Sequence, residues 1–142
     1  MALEIVHFGT PVLHQEGEPI TEFDASLKSL FDDMVETCIG AEGIGLAAHQ
    51  VGKALMFCVV DLRGIEIDFD YTLDGSKPPL KLFNPIGMCN PIVTKLESPK
   101  TIYEEGCLSF PDIRGDVERT DYIRCQYQDI DGNPHELECN GL

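Results

Sequence analysis

Cys107 is the residue of this sequence that is best suited to take part in a chemical reaction. It lies in the pentapeptide EGCLS, where Gly106 and Leu108 flank it and Ser109 closes the segment. A cysteine thiolate can act as a nucleophile or as a metal ligand. The pentapeptide by itself does not decide between these two roles.

A second stretch, GIGLAAHQ at residues 43–50, lies far upstream of the cysteine. Gly43 and Gly45 flank Ile44, so the backbone can approach another group closely at this point. Gln50 adds an amide that can both donate and accept hydrogen bonds. No GK[ST] follows and the full dinucleotide fingerprint is absent, which argues against a phosphate-binding loop. A tight turn leading into a packed segment also fits the pattern.

Taken together and in this order, the two stretches resemble the two upstream motifs of the peptide deformylase family, G-x-G-L-A-A-x-Q and E-G-C-L-S. The resemblance covers nearly the whole chain, including a helix expected at 24–38 and the DGNP turn at 131–134. It implies a metal-dependent amide hydrolase. Such enzymes remove the formyl group from the N-terminal methionine of new polypeptides.

The resemblance implies a role for three residues in the chemistry. Cys107 becomes a metal ligand, with Fe²⁺ as the expected ion and Zn²⁺ as the alternative, because a thiolate suits both. Gln50 and the backbone N–H of Leu108 become the donors that stabilise negative charge on the formyl oxygen during attack.

The resemblance also implies a substrate-binding set and a partner. Gly45 is expected to present its backbone to the substrate, Ile44 to line the mouth of the methionine pocket, and Gly43 and Gly106 to complete the set. The partners are then N-formylmethionyl nascent peptides, met near the ribosome.

The third motif of the family, H-E-x-x-H on a helix, does not occur in these 142 residues. It would supply two histidine ligands on one helical face and, between them, the glutamate that acts as general base. We therefore expect a sequence cut short before that motif, incomplete at its C-terminus and inactive as it stands.

The segment HELEC at residues 135–139 imitates a metal-binding pattern. It follows DGNP, which predicts a hairpin turn and then a strand. On a strand, His135 and Cys139 would be about 13 Å apart, too far to share one metal ion. We predict a strand without ligands.

Two alternatives to an enzyme of this family stay open. The chain could be a non-catalytic relative that binds N-terminal peptides. Less favoured is a hydrolase with Cys107 as nucleophile and a histidine such as His49 as its base. His49 occupies the variable position of the first motif, where a side chain directed away from the pocket is the simpler expectation.

The surrounding pattern predicts an α+β fold in which short antiparallel strands pack with helices, lacking the C-terminal metal-binding helix of the family. Asp24 is expected to cap a helix whose apolar positions recur at helical spacing as far as Cys38. Strands are predicted at 55–62, 81–85, 92–96, 116–118, 121–128 and 135–139, with turns at 98–100, 110–112 and 129–134 and an exposed excursion at 63–79.

Length and charge restrict the remaining classes. A chain of 142 residues predicts a single domain, 1–142. The formal net charge of -15 opposes binding to nucleic acid or to anionic membranes. No apolar run is long enough to span a membrane, and no secretory signal opens the chain. We expect a cytoplasmic protein whose six cysteines are free.

Overall fold

The computed structural model describes residues 1–65 and 69–141. Residues 66–68, which belong to the predicted excursion, and residue 142 lie outside the described residues. In chain order the elements are a 3₁₀ turn (Pro11–His14), α1 (Ala25–Gly40), β1 (Gly45–Ala47), a second 3₁₀ turn (Ala48–Val51), β2 (Phe57–Val60), β3 (Tyr71–Leu73), α2 (Leu80–Phe83), β4 (Ile86–Lys95), β5 (Lys100–Cys107), β6 (Phe110–Thr120), β7 (Tyr122–Gln128) and β8 (Pro134–Asn140).

The strands β1–β8 form two sheets, and each pair of neighbouring strands is antiparallel. The larger sheet has six strands in the order β1-β2-β4-β7-β8-β3, and the smaller one is the β5-β6 hairpin. Helices and antiparallel strands together make an α+β architecture, as predicted.

Helix α1 forms where the apolar spacing predicts it. The Asp24 carboxylate accepts hydrogen bonds from the backbone N–H groups of Ser26 (3.1 Å) and Leu27 (3.2 Å), which the first helical turn leaves without partners. Phe31 and Met34 lie on the buried face of the helix. The predicted cap and helix are therefore confirmed.

Two apolar clusters fill the space against the larger sheet. Successive residues of β2 alternate between them: Phe57 and Val59 belong to the cluster under α1, while Cys58 and Val60 pack against the other. This alternation follows from the geometry of a strand, whose side chains point to opposite faces in turn. The strand predicted at 55–62 is thereby confirmed at its centre.

The strand predicted at 81–85 is wrong, because this segment forms the single helical turn α2. The Asn84 side chain donates to the Leu80 carbonyl (2.9 Å) and accepts from the Leu62 N–H (3.0 Å), so a buried amide holds the turn. Leu82 is 77% exposed, so its apolar character does not reflect a buried strand.

The turn predicted at 110–112 is also wrong. The chain reverses instead at Leu108 and Ser109, and β6 starts directly at Phe110, which pairs with Cys107. Pro111 is tolerated because each strand of a two-stranded sheet has a free edge. The short strand predicted at 116–118 is part of the longer β6, and residues 101–105 belong to its partner β5.

The excursion predicted at 63–79 carries a strand. In β3, Tyr71 pairs with Cys139 and Leu73 with Leu137, which makes β3 an edge of the larger sheet. The prediction for 92–96 was too short, since β4 begins at Ile86. The strands at 121–128 and 135–139 and the hairpin turn between them are confirmed as β7 and β8.

Candidate active site

Cys107 is the last residue of β5 and lies beside the tight turn to β6. Its side chain is exposed, and all six thiols are free. The other cysteines are buried or half-buried: Cys38, Cys58, Cys89, Cys125 and Cys139. Burial raises the pKa of Cys58 to about 12 and the pKa values of Cys89 and Cys125 to about 11. Cys107 is therefore the thiol that an external reactant or ion can reach.

Gln50 brings the two chemically suggestive stretches together. It lies in the 3₁₀ turn after β1, and its Nε2 is 3.7 Å from Cys107 Sγ and 3.3 Å from Ser109 Oγ. Its Oε1 accepts a hydrogen bond from the Ala47 N–H at 2.9 Å. The Ala47 N–H can only donate, so the oxygen of the Gln50 amide must face it. The NH₂ group of the amide is then directed toward the thiol.

Ser109 is a site residue that the sequence did not single out. Its side chain is buried, and its hydroxyl accepts the hydrogen bond from Gln50. The available signal was its position within EGCLS, as a polar residue next to an apolar one.

The N-terminal segment fastens both stretches through its backbone. The Val6 N–H donates to the Gln50 carbonyl at 2.8 Å, and the Phe8 N–H donates to the Ser109 carbonyl at 2.8 Å. No side-chain pattern could have revealed these contacts, because they use main-chain atoms alone.

Leu108 has two features that matter for the site. Its side chain packs against the cluster under α1. Within residues 1–65 and 69–141, its backbone N–H donates no hydrogen bond. Among the described residues, this N–H beside Cys107 is therefore left without an acceptor.

Gly43 allows the close contact between the first stretch and Leu108. A Cβ atom at Gly43 would lie 2.9 Å from Leu108 Cδ1 and 3.2 Å from Cys38 Sγ, closer than side chains pack. At Gly45 the nearest atom would be the Val59 carbonyl oxygen at 3.5 Å, an ordinary contact. Gly43 therefore has a packing role that Gly45 does not share.

Ile44 and Gly106 occupy the edges of the site. Ile44 is 46% exposed, and its carbonyl accepts a hydrogen bond from the Asp61 N–H at 2.9 Å. Gly106 lies beneath the Arg114 guanidinium, where an added Cβ would be 3.0 Å from a guanidinium nitrogen.

Charged pairs brace the strands that lead to Cys107. Arg119 donates twice to the Glu105 carboxylate, from Nε at 2.8 Å and from a terminal nitrogen at 2.6 Å. The hydrogen bonds from Arg119 lower the pKa of Glu105 below its ordinary value. Arg114 donates from Nε to Glu104 at 3.1 Å. These exposed pairs link side chains of β5 and β6 in the segment before the thiol.

The donor atoms near Cys107 do not make a complete metal site. Over the part of the chain that the structure describes, no three His, Cys, Asp or Glu side chains are grouped so that they could hold a metal ion. His135 and Cys139 lie on β8, as the strand prediction required. His49 donates from Nε2 to the Gln15 carbonyl at 3.0 Å, so its ring is engaged away from the thiol.

Known proteins share both the sequence and this fold. The family model described as polypeptide deformylase matches residues 2–142. A peptide deformylase from Opitutus terrae is 53% identical over an alignment that covers 100% of this chain and 74% of the relative. One from Methylacidiphilum infernorum is 37% identical with the same shares, 100% and 74%.

Solved structures agree with this result. The crystal structure of peptide deformylase from Thermotoga maritima superposes with a TM-score of 0.82 at 33% identity, covering 99% of this chain and 83% of that protein. The Synechococcus elongatus enzyme, in complex with actinonin, also gives 0.82 at 30% identity, covering 99% and 66%. The fold and the paired motifs define this class of hydrolase.

The chain belongs to the polypeptide deformylase family, as its two motifs predicted. None of the helices described in the structure combines the length and apolarity needed to cross a membrane.

Proposed function

We propose that this chain provides the substrate pocket and one metal ligand of an enzyme that removes the formyl group from the N-terminal formylmethionine of nascent proteins. One observation carries the proposal. The Gln50 amide, held by Ala47, points its NH₂ group at Cys107 and Ser109, which lie far away in the sequence. This arrangement joins the two stretches on which the family resemblance rests.

The chemistry needs hydrogen-bond donors in fixed positions. When water attacks a formyl group, negative charge develops on the formyl oxygen, and donors directed at that oxygen lower the barrier. The Gln50 NH₂ group and the Leu108 N–H are the donors we assign to this task. Both are positioned before substrate arrives, Gln50 by Ala47 and Leu108 by its packing under α1.

A metal ion would activate the attacking water and polarise the formyl group. We assign Cys107 as one of its ligands, with Fe²⁺ as the expected ion and Zn²⁺ as the alternative. The described residues do not supply two further ligands beside it. The H-E-x-x-H motif is not among the 142 residues, so we expect these residues by themselves to be inactive.

The substrate side of the site follows the same proposal. Gly43, Ile44, Gly45 and Gly106 form the binding set, with the exposed Ile44 at the mouth of the methionine pocket. The partners are formylated nascent peptides near the ribosome, in the cytoplasm, without direct contact to nucleic acid or membrane. The net charge of -15 supports the last point. Residues 1–142 act as a single domain.

A chimaera tests the proposal directly. In it, this chain is followed by the part of the Opitutus terrae relative that lies beyond the aligned region. With Fe²⁺ under anaerobic conditions, we expect formate release from a formylmethionyl tripeptide. Cys107→Ala should abolish it, and Gln50→Leu should lower kcat about 10²–10³-fold, the usual cost of one lost oxyanion donor.

His49→Ala is the matched control, because His49 adjoins Gln50 but contacts Gln15. It should leave the rate unchanged, whereas a large loss would favour a cysteine nucleophile assisted by this histidine. A folded, metal-loaded chimaera that binds the peptide without releasing formate would refute the enzymatic function and support a binding protein.

A further inference from the structure

His135 is held between two carboxylates where β3 joins β8. Its Nδ1 is 2.6 Å from Asp74 Oδ2, and its Nε2 is 2.8 Å from Asp129 Oδ2. A carboxylate only accepts hydrogen bonds, so both ring nitrogens must carry a proton to satisfy both contacts. The geometry therefore requires the charged imidazolium form.

The two carboxylates belong to different parts of the sheet. Asp74 follows β3 directly, donates its N–H to the Glu136 carbonyl at 2.9 Å and accepts the Glu136 N–H at 2.8 Å. Asp129 lies in the turn between β7 and β8, where its Oδ1 accepts the N–H groups of Asp131 and Asn133. His135 thus connects the end of an edge strand to a hairpin turn.

We propose that His135 is a latch that fastens the edge strand β3 to β8 while the imidazole is protonated and lets β3 open when the proton leaves. Deprotonation leaves one ring nitrogen facing a carboxylate without a hydrogen between them. That contact becomes repulsive and weakens the attachment at the end of β3, whose other ties to β8 include its three-residue pairing, the Asp74–Glu136 hydrogen bonds and the bond from the Asn140 N–H to the Asp70 carbonyl. The latch lies outside the candidate active site and does not depend on the proposed function.

The charges around the ring favour its proton. Asp74 and Asp129 face its nitrogens, and Tyr127 on β7 lies beside it with a ring-centroid distance of 5.5 Å. The neighbouring Glu136 on β8 is paired with Arg124 at 2.7 Å. The side chains that face the imidazole are therefore carboxylates and a neutral phenol.

The pKa directions agree with this geometry. Burial disfavours charge on His135, but the bonds to Asp74 and Asp129 outweigh it and raise its pKa. Burial also opposes the charges on the two carboxylates, but their hydrogen bonds with His135 and with backbone N–H groups together outweigh it and lower their pKa values. Tyr127 has a raised pKa, chiefly through burial, and stays neutral.

The sign of the pH effect follows. A histidine whose pKa is higher when latched stabilises the closed form fully below its ordinary pKa of about 6.5, and this stabilisation is lost as pH rises through the higher value. The carboxylates contribute above their ordinary pKa and lose their effect as pH falls. The latch is therefore strongest between the ordinary pKa values of the carboxylates and of histidine, and it weakens as pH rises through the raised pKa of His135.

Two measurements on the 142-residue protein test the latch. In an NMR titration, the His135 ring signals should change at a pH above about 6.5, the value of a free histidine. In hydrogen exchange corrected for intrinsic rates, the Asp74 and Glu136 amides should open more at pH 9 than at pH 6. The increase is about tenfold for each pH unit by which the latched pKa exceeds the open one.

His135→Gln should raise the exchange of both amides at pH 6 and remove most of its pH dependence. His49→Gln is the matched control, since it also removes a histidine but one bonded to a carbonyl, and it should change neither amide. A His135 midpoint at or below about 6.5, or equal protection of the two amides at pH 6 and pH 9 in the unmodified protein, would overturn the proposal.

Discussion

At the scale of residues, a backbone N–H decides which way the Gln50 amide points. Ala47 can only donate at this position, so Oε1 turns toward it and the NH₂ group turns toward Cys107 and Ser109. The Gln50 side-chain amide could adopt two orientations, and this single main-chain N–H selects the one in which the NH₂ group donates toward the site. At Leu108, the side chain packs against the cluster under α1, and the N–H has no acceptor among the described residues.

The exposure of Cys107 leads to a prediction about thiol reactivity. In native buffer, a thiol reagent such as DTNB should modify one cysteine quickly, because the others are buried or half-buried and burial raises the pKa of several of them. Cys107→Ser should remove the fast phase, while Cys139→Ser should keep it. Absorbance at 412 nm measures both, and a second fast thiol in the native protein would contradict the assignment.

The close packing at Gly43 predicts the cost of adding a methyl group. Gly43→Ala forces a Cβ against Leu108 Cδ1 and Cys38 Sγ, so we expect a loss of about 1–3 kcal/mol in the free energy of unfolding. Gly40→Ala is the control, because a Cβ there meets nothing within 4 Å and alanine favours helix. Urea unfolding followed by circular dichroism compares them; equal stabilities would show that the contact relaxes freely.

At the scale of elements, α1 packs against the first of the two stretches that form the site. Its buried face carries Met34 and Cys38, and Cys38 lies directly under Gly43. The N-cap Asp24 also carries a lowered pKa, mainly through the hydrogen bond from the Ser26 side chain. The cap is therefore strongest above the ordinary pKa of aspartate and is lost in acid.

Two substitutions on α1 compare the loss of a buried side chain with the loss of an exposed one. Met34→Ala removes a side chain with 0% exposure and should lower the free energy of unfolding by about 2–5 kcal/mol through the cavity it leaves. Ile39→Ala on the same helix removes a side chain that is 54% exposed, and about 0.5 kcal/mol or less is expected. Urea unfolding measures both losses of stability. Equal losses would mean that Met34 does not contribute to the core in the way the structure indicates.

At the scale of the whole molecule, charge acts against compactness. The chain carries 25 acidic and 10 basic residues, so its folded form repels itself. Exposed ion pairs such as Lys28–Asp32 offset little of this, because pairs of this kind contribute about 0–1 kcal/mol.

Salt should therefore stabilise the protein at neutral pH. Between 10 and about 150 mM NaCl the screening length falls to about 8 Å, which weakens the long-range repulsion. We expect Tm to rise over this range at pH 7 and the increase to shrink near the sequence pI of about 4.4, where the net charge vanishes. Differential scanning calorimetry checks both. A fall in Tm at pH 7 would mean that ion pairs outweigh repulsion.

Four features were predictable from the residues alone: the family, helix α1 with its cap, the β7-β8 hairpin and the two stretches that form the candidate site. Each of these depends on neighbours within a few residues. Apolar spacing predicts a helix, Asp-Gly predicts a hairpin, and GIGLAAHQ and EGCLS are legible as they stand. A local signal, the preceding DGNP turn, likewise predicted that HELEC forms a strand.

Tertiary structure alone decided what depends on contacts between distant segments. Asn84 bonds to Leu62 and keeps α2 helical. Phe69, Tyr71 and Leu73 alternate with polar residues, a strand signal that the sequence prediction missed, but the pairing of Tyr71–Leu73 with β8 at the sheet edge was decided by the fold. The same reason applies to the site. The types of Gln50 and Cys107 could be read from the sequence, but the direction of the amide, the contact with Ser109 and the backbone ties of Val6 and Phe8 exist only because folding brings these segments together.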